Sequence, residues 1–145
     1  MRKRNLILLI LFMVVVPVLL SGCFHQPKVA VLTLGFNPNQ VPLNTPTTVI
    51  ETLRELNGIG VSLNYAKEEW FDPGGNIIGG WEQEGAGAEI WFQNEFGATY
   101  ILGNGELSFL FVWVPSILQK FIYTYGGTDD NGNTVRASAE VLFEM

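Results

Sequence analysis

The chain has few of the side chains that enzymes most often use. Its 145 residues include a single cysteine, Cys23, and a single histidine, His25. A serine or cysteine nucleophile needs a base beside it, usually a histidine, and a zinc site needs several histidine or cysteine ligands. The composition therefore argues against hydrolase, redox and zinc chemistry, and we predict a protein that is not an enzyme and needs no cofactor.

Basic residues are also scarce once the first 22 residues are set aside. Fourteen acidic residues follow Cys23, against five basic ones, so this part of the chain carries a net charge of −9. The five basic residues are Lys28, Arg54, Lys67, Lys120 and Arg136. An acidic surface repels phosphate groups, so we expect no binding to nucleic acid and none to anionic lipid headgroups.

The first 22 residues have the parts of a secretory signal peptide. A basic start, Arg2-Lys3-Arg4, precedes an apolar run from Leu6 to Leu20, and small residues follow that run. The run is interrupted by Pro17 and is shorter than the roughly 20 apolar residues that a membrane-spanning helix needs. We therefore predict that residues 1–22 are a signal peptide that is removed.

The segment Leu20-Ser21-Gly22-Cys23 resembles the lipobox of bacterial lipoproteins. The resemblance implies that the Cys23 thiol carries a diacylglycerol, that cleavage occurs just before Cys23, and that the new amino terminus is acylated, typically with palmitate. Residues 23–28 would then tether the protein to a membrane of the bacterial cell envelope, outside the cytoplasm. Two alternatives remain open: a plain secretory signal with an incidental cysteine, and an uncleaved membrane anchor.

Residues 29–145 show the alternation of apolar and polar side chains that is typical of half-buried strands. About seven such stretches, separated by turns rich in glycine, proline and asparagine, predict an all-β domain built as an antiparallel β-sandwich. In the stretch that begins at Val61, the inward-facing apolar residues change from odd-numbered to even-numbered positions before Trp70. This change predicts a β-bulge between Lys67 and Glu69. In residues 107–114 both faces are apolar, so we expect both faces to be at least partly covered.

Two segments resemble immunoglobulin-like domains of bacterial surface proteins. The run Tyr123-Thr-Tyr-Gly-Gly-Thr-Asp-Asp-Asn-Gly-Asn-Thr-Val-Arg-Ala-Ser-Ala-Glu-Val is similar to their last hairpin, and Asp72-Pro-Gly-Gly-Asn-Ile-Ile to their middle turn. The resemblance implies an immunoglobulin-like β-sandwich that has no disulfide. Because both segments are turns, they imply no particular activity.

The segment from Gly79 to Gly105 does not fit a minimal sandwich. Within it, residues 88–96 predict a short crossover helix that ends at Gly97, because glycine suits the left-handed position after a helix. Either Ile90 or Trp91, together with Phe96, would face the core. In one interpretation, this helix closes one end of the sandwich and has no other role.

A second interpretation makes the same segment a binding site. Trp81 and Trp91, with Trp70 as a third member, would form an aromatic platform that stacks on sugar rings or anchors a protein partner. The acidic residues expected around this platform are Glu82, Glu84 and Glu89.

One further group of residues has the spacing of a metal site. Asp129, Asn131 and Asn133 follow the alternate spacing of a calcium loop, but Gly132 comes too early and no glutamate follows at the twelfth position. A hairpin turn explains the same residues, and calcium binding is the weaker alternative.

The sequence as a whole predicts a lipid-anchored, noncatalytic module of the cell envelope that contacts envelope proteins. Glycan binding through the aromatic residues of segment 79–105 is the alternative. An enzyme with an unusual carboxylate site comes third, and it would show two carboxylates converging in a cleft, one of them with a raised pKa.

Overall fold

The computed structural model describes residues 28–117 and 119–144. The predicted signal peptide, residues 1–22, and the predicted lipidation site, Cys23, lie outside the described residues. No helix among the residues that are described has the length and apolar character needed to cross a membrane.

The described residues form an immunoglobulin-like β-sandwich with one short helix, which confirms the predicted fold class. The elements are β1 (Leu32–Asn37), β2 (Gln40–Pro42), β3 (Thr47–Glu55), β4 (Val61–Phe71), β5 (Ile77–Glu84), α1 (Ala86–Phe96), β6 (Tyr100–Ile101), β7 (Glu106–Trp113), β8 (Lys120–Asp129) and β9 (Thr134–Glu144). The smaller sheet has the order β1-β3-β7. The larger has the order β2-β9-β8-β4-β5, with β6 paired to β4. Among these pairs only β2 and β9 run parallel.

The core lies between the two sheets, because alternate residues of each strand face inward. Leu53 of β3, Leu63 of β4 and Tyr125 of β8 belong to one buried cluster. Val49 and Val141 belong to a second. Burying one such side chain stabilises the fold by roughly 1.5–3 kcal/mol, so these inward positions hold the sheets together without a disulfide.

The bulge in β4 lies at Asn64, so its predicted position between Lys67 and Glu69 is wrong. The residues on either side of Asn64 pair with Gly126 and Gly127 of β8, which leaves Asn64 opposite no partner. A side chain at Gly127 would collide with the backbone of β4, so the two strands approach closely at this point.

The bulge decides which side chains of β4 face the interior. One extra residue reverses the alternation, so Ala66 and Glu68 point into the sandwich. Tyr65 lies on the outer face, where the Arg136 guanidinium stacks 3.5 Å from the centre of its ring. An acidic side chain of β4 is thereby placed between the sheets.

Helix α1 confirms the predicted crossover helix and ends at Gly97, whose φ of 71° is in the left-handed region. Its buried side chains are Ala88 and Phe92. These two are four residues apart and share one face of the helix, whereas Ile90 lies between them on another face. Ile90 is 64% exposed, so of the two alternatives it is Trp91 that packs against the core, together with Phe96. Phe92 is fully buried and closes this end of the sandwich.

The outer face of β7 is exposed, so the expectation that both faces are covered is wrong among the described residues. Leu110 and Val112 are 61% and 58% exposed. Ile50 of β3 pairs with Leu110 and is also exposed. We call Ile50, Leu110 and Val112 the outer apolar strip.

Candidate ligand pocket between the sheets

A cavity of about 280 Å³ lies between the two sheets. Its lining consists of three glutamates, Glu51, Glu68 and Glu95, and seven aromatic residues, among them Trp81 and Trp91. We call it the acidic aromatic pocket. Edge strands β5 and β7 both contribute to it, and most of its lining side chains are only half-buried, so the pocket is accessible from solvent.

Glu51 is the most deeply buried of the three glutamates. Its residue is 4% exposed, and its Oε1 atom has no hydrogen-bond partner. Burial raises the pKa of the Glu51 carboxyl from 4.5 to about 7; the Tyr125 hydroxyl opposes this rise, and the charges of Glu95 and Glu68 add to it. Near neutral pH, Glu51 therefore exchanges between its protonated and ionised forms.

Tyr125 is fully buried beside Glu51, and its hydroxyl also has no partner with hydrogen-bond geometry. Burial and the neighbouring charge of Glu51 raise the pKa of Tyr125 well above its usual value, so the hydroxyl keeps its proton. Its ring lies 5.0 Å from the ring of Trp91, centre to centre. The Tyr125 hydroxyl thus lies close enough to the Glu51 carboxyl to lower its pKa, but Oε1 of Glu51 has no partner with hydrogen-bond geometry.

Glu68 is held in place by two tryptophans. Trp81 donates its indole N–H to Oε2 of Glu68 at 2.8 Å, and Trp70 donates its own to Oε1. Hydrogen bonds to a carboxylate are short and strong, so the orientation of Glu68 is well defined. Trp70 therefore positions Glu68 and does not itself line the pocket.

The structure brings the predicted Trp81 and Trp91 together, with ring centres 5.2 Å apart. Trp81 comes from β5 and Trp91 from α1, so the helix completes the aromatic wall. Glu95 follows Trp91 by four residues and lies on the same face of the helix. The helix therefore both closes the sandwich through Phe92 and contributes to the pocket.

The acidic residues predicted around the tryptophans are the wrong ones. Glu82, Glu84 and Glu89 are exposed, and none of them lines the pocket. Along β5 the alternation that turns Trp81 inward turns its acidic neighbours outward.

The three residues with calcium-loop spacing meet in the turn between β8 and β9. Both oxygens of Asp129 accept hydrogen bonds, from the backbone N–H groups of Ala30, Asn131 and Asn133 and from the side-chain amide of Asn133. Burial alone would raise the pKa of Asp129, but these donors lower it to about 2. Its oxygens are thus engaged by the turn. The described part of the chain holds no cluster of three or more histidine, cysteine, aspartate or glutamate side chains that could bind a metal ion.

Comparison with known proteins yields likenesses of fold only. No family model matches the chain, and no curated protein matches it. The CARDB domain of a Pyrococcus furiosus protein is 16% identical, with a TM-score of 0.43 over 81% of this chain and 90% of that one. The putative ApaA protein from Bordetella pertussis is 14% identical, with a TM-score of 0.49 over 81% and 96%. Spo0M, a sporulation control protein from Bacillus subtilis, is 9% identical, with a TM-score of 0.43 over 81% and 50%.

The glutamates of the pocket were missed by the sequence reasoning. The alternation of residues 49–53 places Glu51 on the inward face with a valine and a leucine, and this signal was present in the sequence. Glu95 was detectable as the residue one helical turn after Trp91. The inward orientation of Glu68 depends on the position of the bulge, which the sequence pattern placed wrongly.

Proposed function

We propose that the mature chain is a noncatalytic module of the bacterial cell envelope, lipid-anchored at Cys23, which works by binding a ligand in the acidic aromatic pocket. The lipobox resemblance supports the anchor. The pocket supports the binding role, because its polar groups converge from both sheets and from α1.

The observation that carries this proposal is the unpartnered Glu51. Leaving a buried polar atom without a hydrogen bond destabilises a folded chain by about 1–3 kcal/mol, and more for a charged group. Such groups in native proteins concentrate at functional sites. Glu51 lies in a cavity that solvent reaches, so an incoming ligand can supply the missing partner.

An envelope protein is the partner we propose first. The outer apolar strip supports a protein contact, because adjacent exposed apolar side chains are typical of interaction surfaces. Strand β5, which overlaps segment 79–105, is an edge of the larger sheet. Edge strands offer unpaired backbone groups to partner chains.

A glycan is the second candidate, and the observation that favours it is the Trp81–Trp91 pair. Two adjacent tryptophan rings beside glutamate side chains provide stacking surfaces together with acceptors for sugar hydroxyls.

The pocket also meets the condition set for a carboxylate enzyme, because three carboxylates converge in a cleft and the pKa of Glu51 is raised. We favour binding over catalysis as the function of the pocket, because both oxygens of Glu68 are already engaged by indole N–H groups. If the chain hydrolysed a glycan, Glu51→Gln would abolish product formation while leaving binding intact.

Crosslinking in intact cells, followed by mass spectrometry, tests the proposed function. The native chain is compared with Glu51→Gln and Glu95→Gln, and with Glu89→Gln as a control that removes the same charge from an exposed position of α1. We expect the native chain and the control to capture the same proteins and the two pocket variants to lose them. Identical capture by all four chains would contradict a binding role for the pocket. Retention on cell-wall polysaccharide without a captured protein would favour the glycan.

A further inference from the structure

We infer that the group which enters the acidic aromatic pocket is an organic cation, an ammonium or a guanidinium group. The inference rests on the proposed binding role of the pocket and adds the chemistry of the occupant. It is carried by the charge of the pocket, its unsatisfied acceptor, its aromatic walls and its size.

The pocket gathers negative groups and lacks positive ones. Three glutamates line it, whereas no lysine or arginine does. The basic side chains that form ion pairs in the described part of the chain do so elsewhere: Arg54 with Glu106, Lys67 with Glu69, Lys120 with Glu140 and Arg136 with Glu84. In a partly buried site such uncompensated charges attract a cation more strongly than they would in water.

The Glu51 carboxyl keeps one acceptor atom without a partner, although the nearby Tyr125 hydroxyl lowers the pKa of this carboxyl. The residue is 4% exposed, it lines the pocket, and its Oε1 atom has no partner. A cationic N–H group placed beside it would form a charge-assisted hydrogen bond, the stronger class of such bonds. A quaternary ammonium, which has no N–H, would gain the Coulomb attraction alone.

The walls suit an organic cation better than a metal ion. Trp81, Trp91 and Trp113 line the pocket, and the negative face of a tryptophan ring attracts a cation placed over it. The described residues contain no cluster of three or more side chains arranged for metal ligation. A hard metal ion needs several oxygen ligands around one point, whereas most of the residues that line this pocket are aromatic.

The size of the pocket suits a small group. Its volume of about 280 Å³ is just below the range of about 300–1,000 Å³ that is usual for sites that take drug-sized ligands. The charged end of a molecule therefore fits, and the rest of that molecule can extend into solvent. Two sources fit: a free small organic cation, and the side chain of a lysine or arginine on a partner protein.

Binding of a cation would be linked to pH through Glu51. The groups that face Glu51 are Tyr123 and Tyr125 of β8, Glu68 of β4 and Glu95 of α1. Burial and the nearby carboxylates raise the pKa of both tyrosines, so both stay neutral in this range. A cation favours the ionised form of Glu51, so affinity should rise as the pH increases through about 7.

The test is a titration of the full-length protein, purified in an uncharged polyoxyethylene detergent that contains no sugar. Three probes are cations: choline, and the amino acids lysine and arginine, each blocked at its amino and carboxyl ends. Two probes are neutral: the tert-butyl isostere of choline, and N-acetylglucosamine. Calorimetry and tryptophan fluorescence report binding. We expect at least one cation to bind about tenfold more tightly than the isostere, because tenfold corresponds to 1.4 kcal/mol, within the range of a cation–π contact.

Variants locate the site and exclude misfolding. Glu51→Gln and Glu95→Gln should each weaken cation binding about tenfold or more, whereas Glu89→Gln should leave it unchanged. Preference for choline identifies a free quaternary cation as the source. Preference for blocked lysine or arginine identifies a protein side chain. In Glu51→Gln, the affinity for the cation should no longer depend on pH. In Glu95→Gln, the unfolding behaviour should be unchanged. Together these two results separate a binding role from a structural one.

Two results would overturn the inference, and they differ in what they say about the pocket. If the uncharged isostere or N-acetylglucosamine binds as well as any cation, and Glu95→Gln weakens that binding, the pocket is a binding site for a neutral ligand. If no probe binds, the inference fails. The proposed binding role of the pocket would also fail only if, in the crosslinking experiment, the pocket variants capture the same proteins as the native chain.

Discussion

Two glutamates of β3 face inward, and their environments give them opposite properties. Glu55 is 1% exposed, and burial alone would raise its pKa. Backbone N–H groups of Asn104, Asn57, Val31 and Gly58 overcome that effect and lower the pKa to about 2. Glu51 has no such donors, and its pKa rises to about 7. Glu55 is thus a structural carboxylate that ties loops together, and Glu51 is free to bind.

The raised pKa of Glu51 predicts that Glu51→Gln stabilises the fold at alkaline pH. The unfolded carboxyl ionises near pH 4.5 and the folded one near 7, so the folded state binds more protons between these values and loses stability as the pH rises. Above this window the loss amounts to about 3 kcal/mol, which glutamine avoids because it does not ionise. Urea unfolding of both chains at about pH 4 and about pH 8 measures the difference.

Glu89→Gln serves as the control for this experiment, because Glu89 is exposed on α1. Its stability should follow that of the native chain at both pH values. A gain from Glu51→Gln that is equal at acid and alkaline pH would show that Glu51 ionises normally in the folded protein.

At the residue scale, the sequence predicted part of the pocket. Trp81 and Trp91 were identified from their position in the segment that does not fit a sandwich, and they do meet. Their acidic neighbours were assigned by closeness along the chain. The actual ones come from β3, β4 and the last turn of α1, and only the tertiary fold brings these together with the tryptophans.

At the scale of elements, α1 was predictable because its end signal is local. Gly97 adopts the left-handed conformation that the sequence suggested. The bulge in β4 was harder to place. Apolar residues change from odd to even positions between Tyr65 and Trp70, and an extra residue anywhere between these two, or directly before Tyr65, would explain this change. The choice of Asn64 depends on how β4 pairs with the glycine pair of β8, which lies far away in sequence.

Phe92→Ala tests the role of α1 in closing the sandwich. Phe92 is fully buried and packs edge-on against Tyr125, so its truncation should destabilise the fold by about 3–5 kcal/mol. Ile90→Ala changes an exposed residue of the same helix and should alter stability by about 0.5 kcal/mol or less. Urea unfolding midpoints report both changes. Equal effects of the two substitutions would mean that the helix does not bury Phe92.

For the whole molecule, the sandwich was predictable from periodicity, whereas the space between its sheets was not. Alternation shows which side chains face inward, but it does not show how closely two sheets approach. The acidic aromatic pocket lies between them, lined from edge strands β5 and β7 as well as from inner strands and α1. The acidic charge of the molecule was predictable by counting, whereas the meeting of three glutamates in the pocket was visible only in the structure.

The same acidic charge makes the proposed lipidation of Cys23 the expected means of membrane attachment. A net charge of −9 after residue 22 repels anionic headgroups, whereas each buried CH₂ of an acyl chain contributes about 0.8 kcal/mol and two or three chains make release very slow. We expect cells grown with a clickable palmitate analogue to label the native chain, with mass spectrometry finding an amino terminus at Cys23. Cys23→Ser should lose the label, because it removes the thiol that the lipobox resemblance predicts to be lipidated. An unlabelled native chain cut at another residue would indicate a plain secretory signal, and an unlabelled, uncut chain would indicate a membrane anchor.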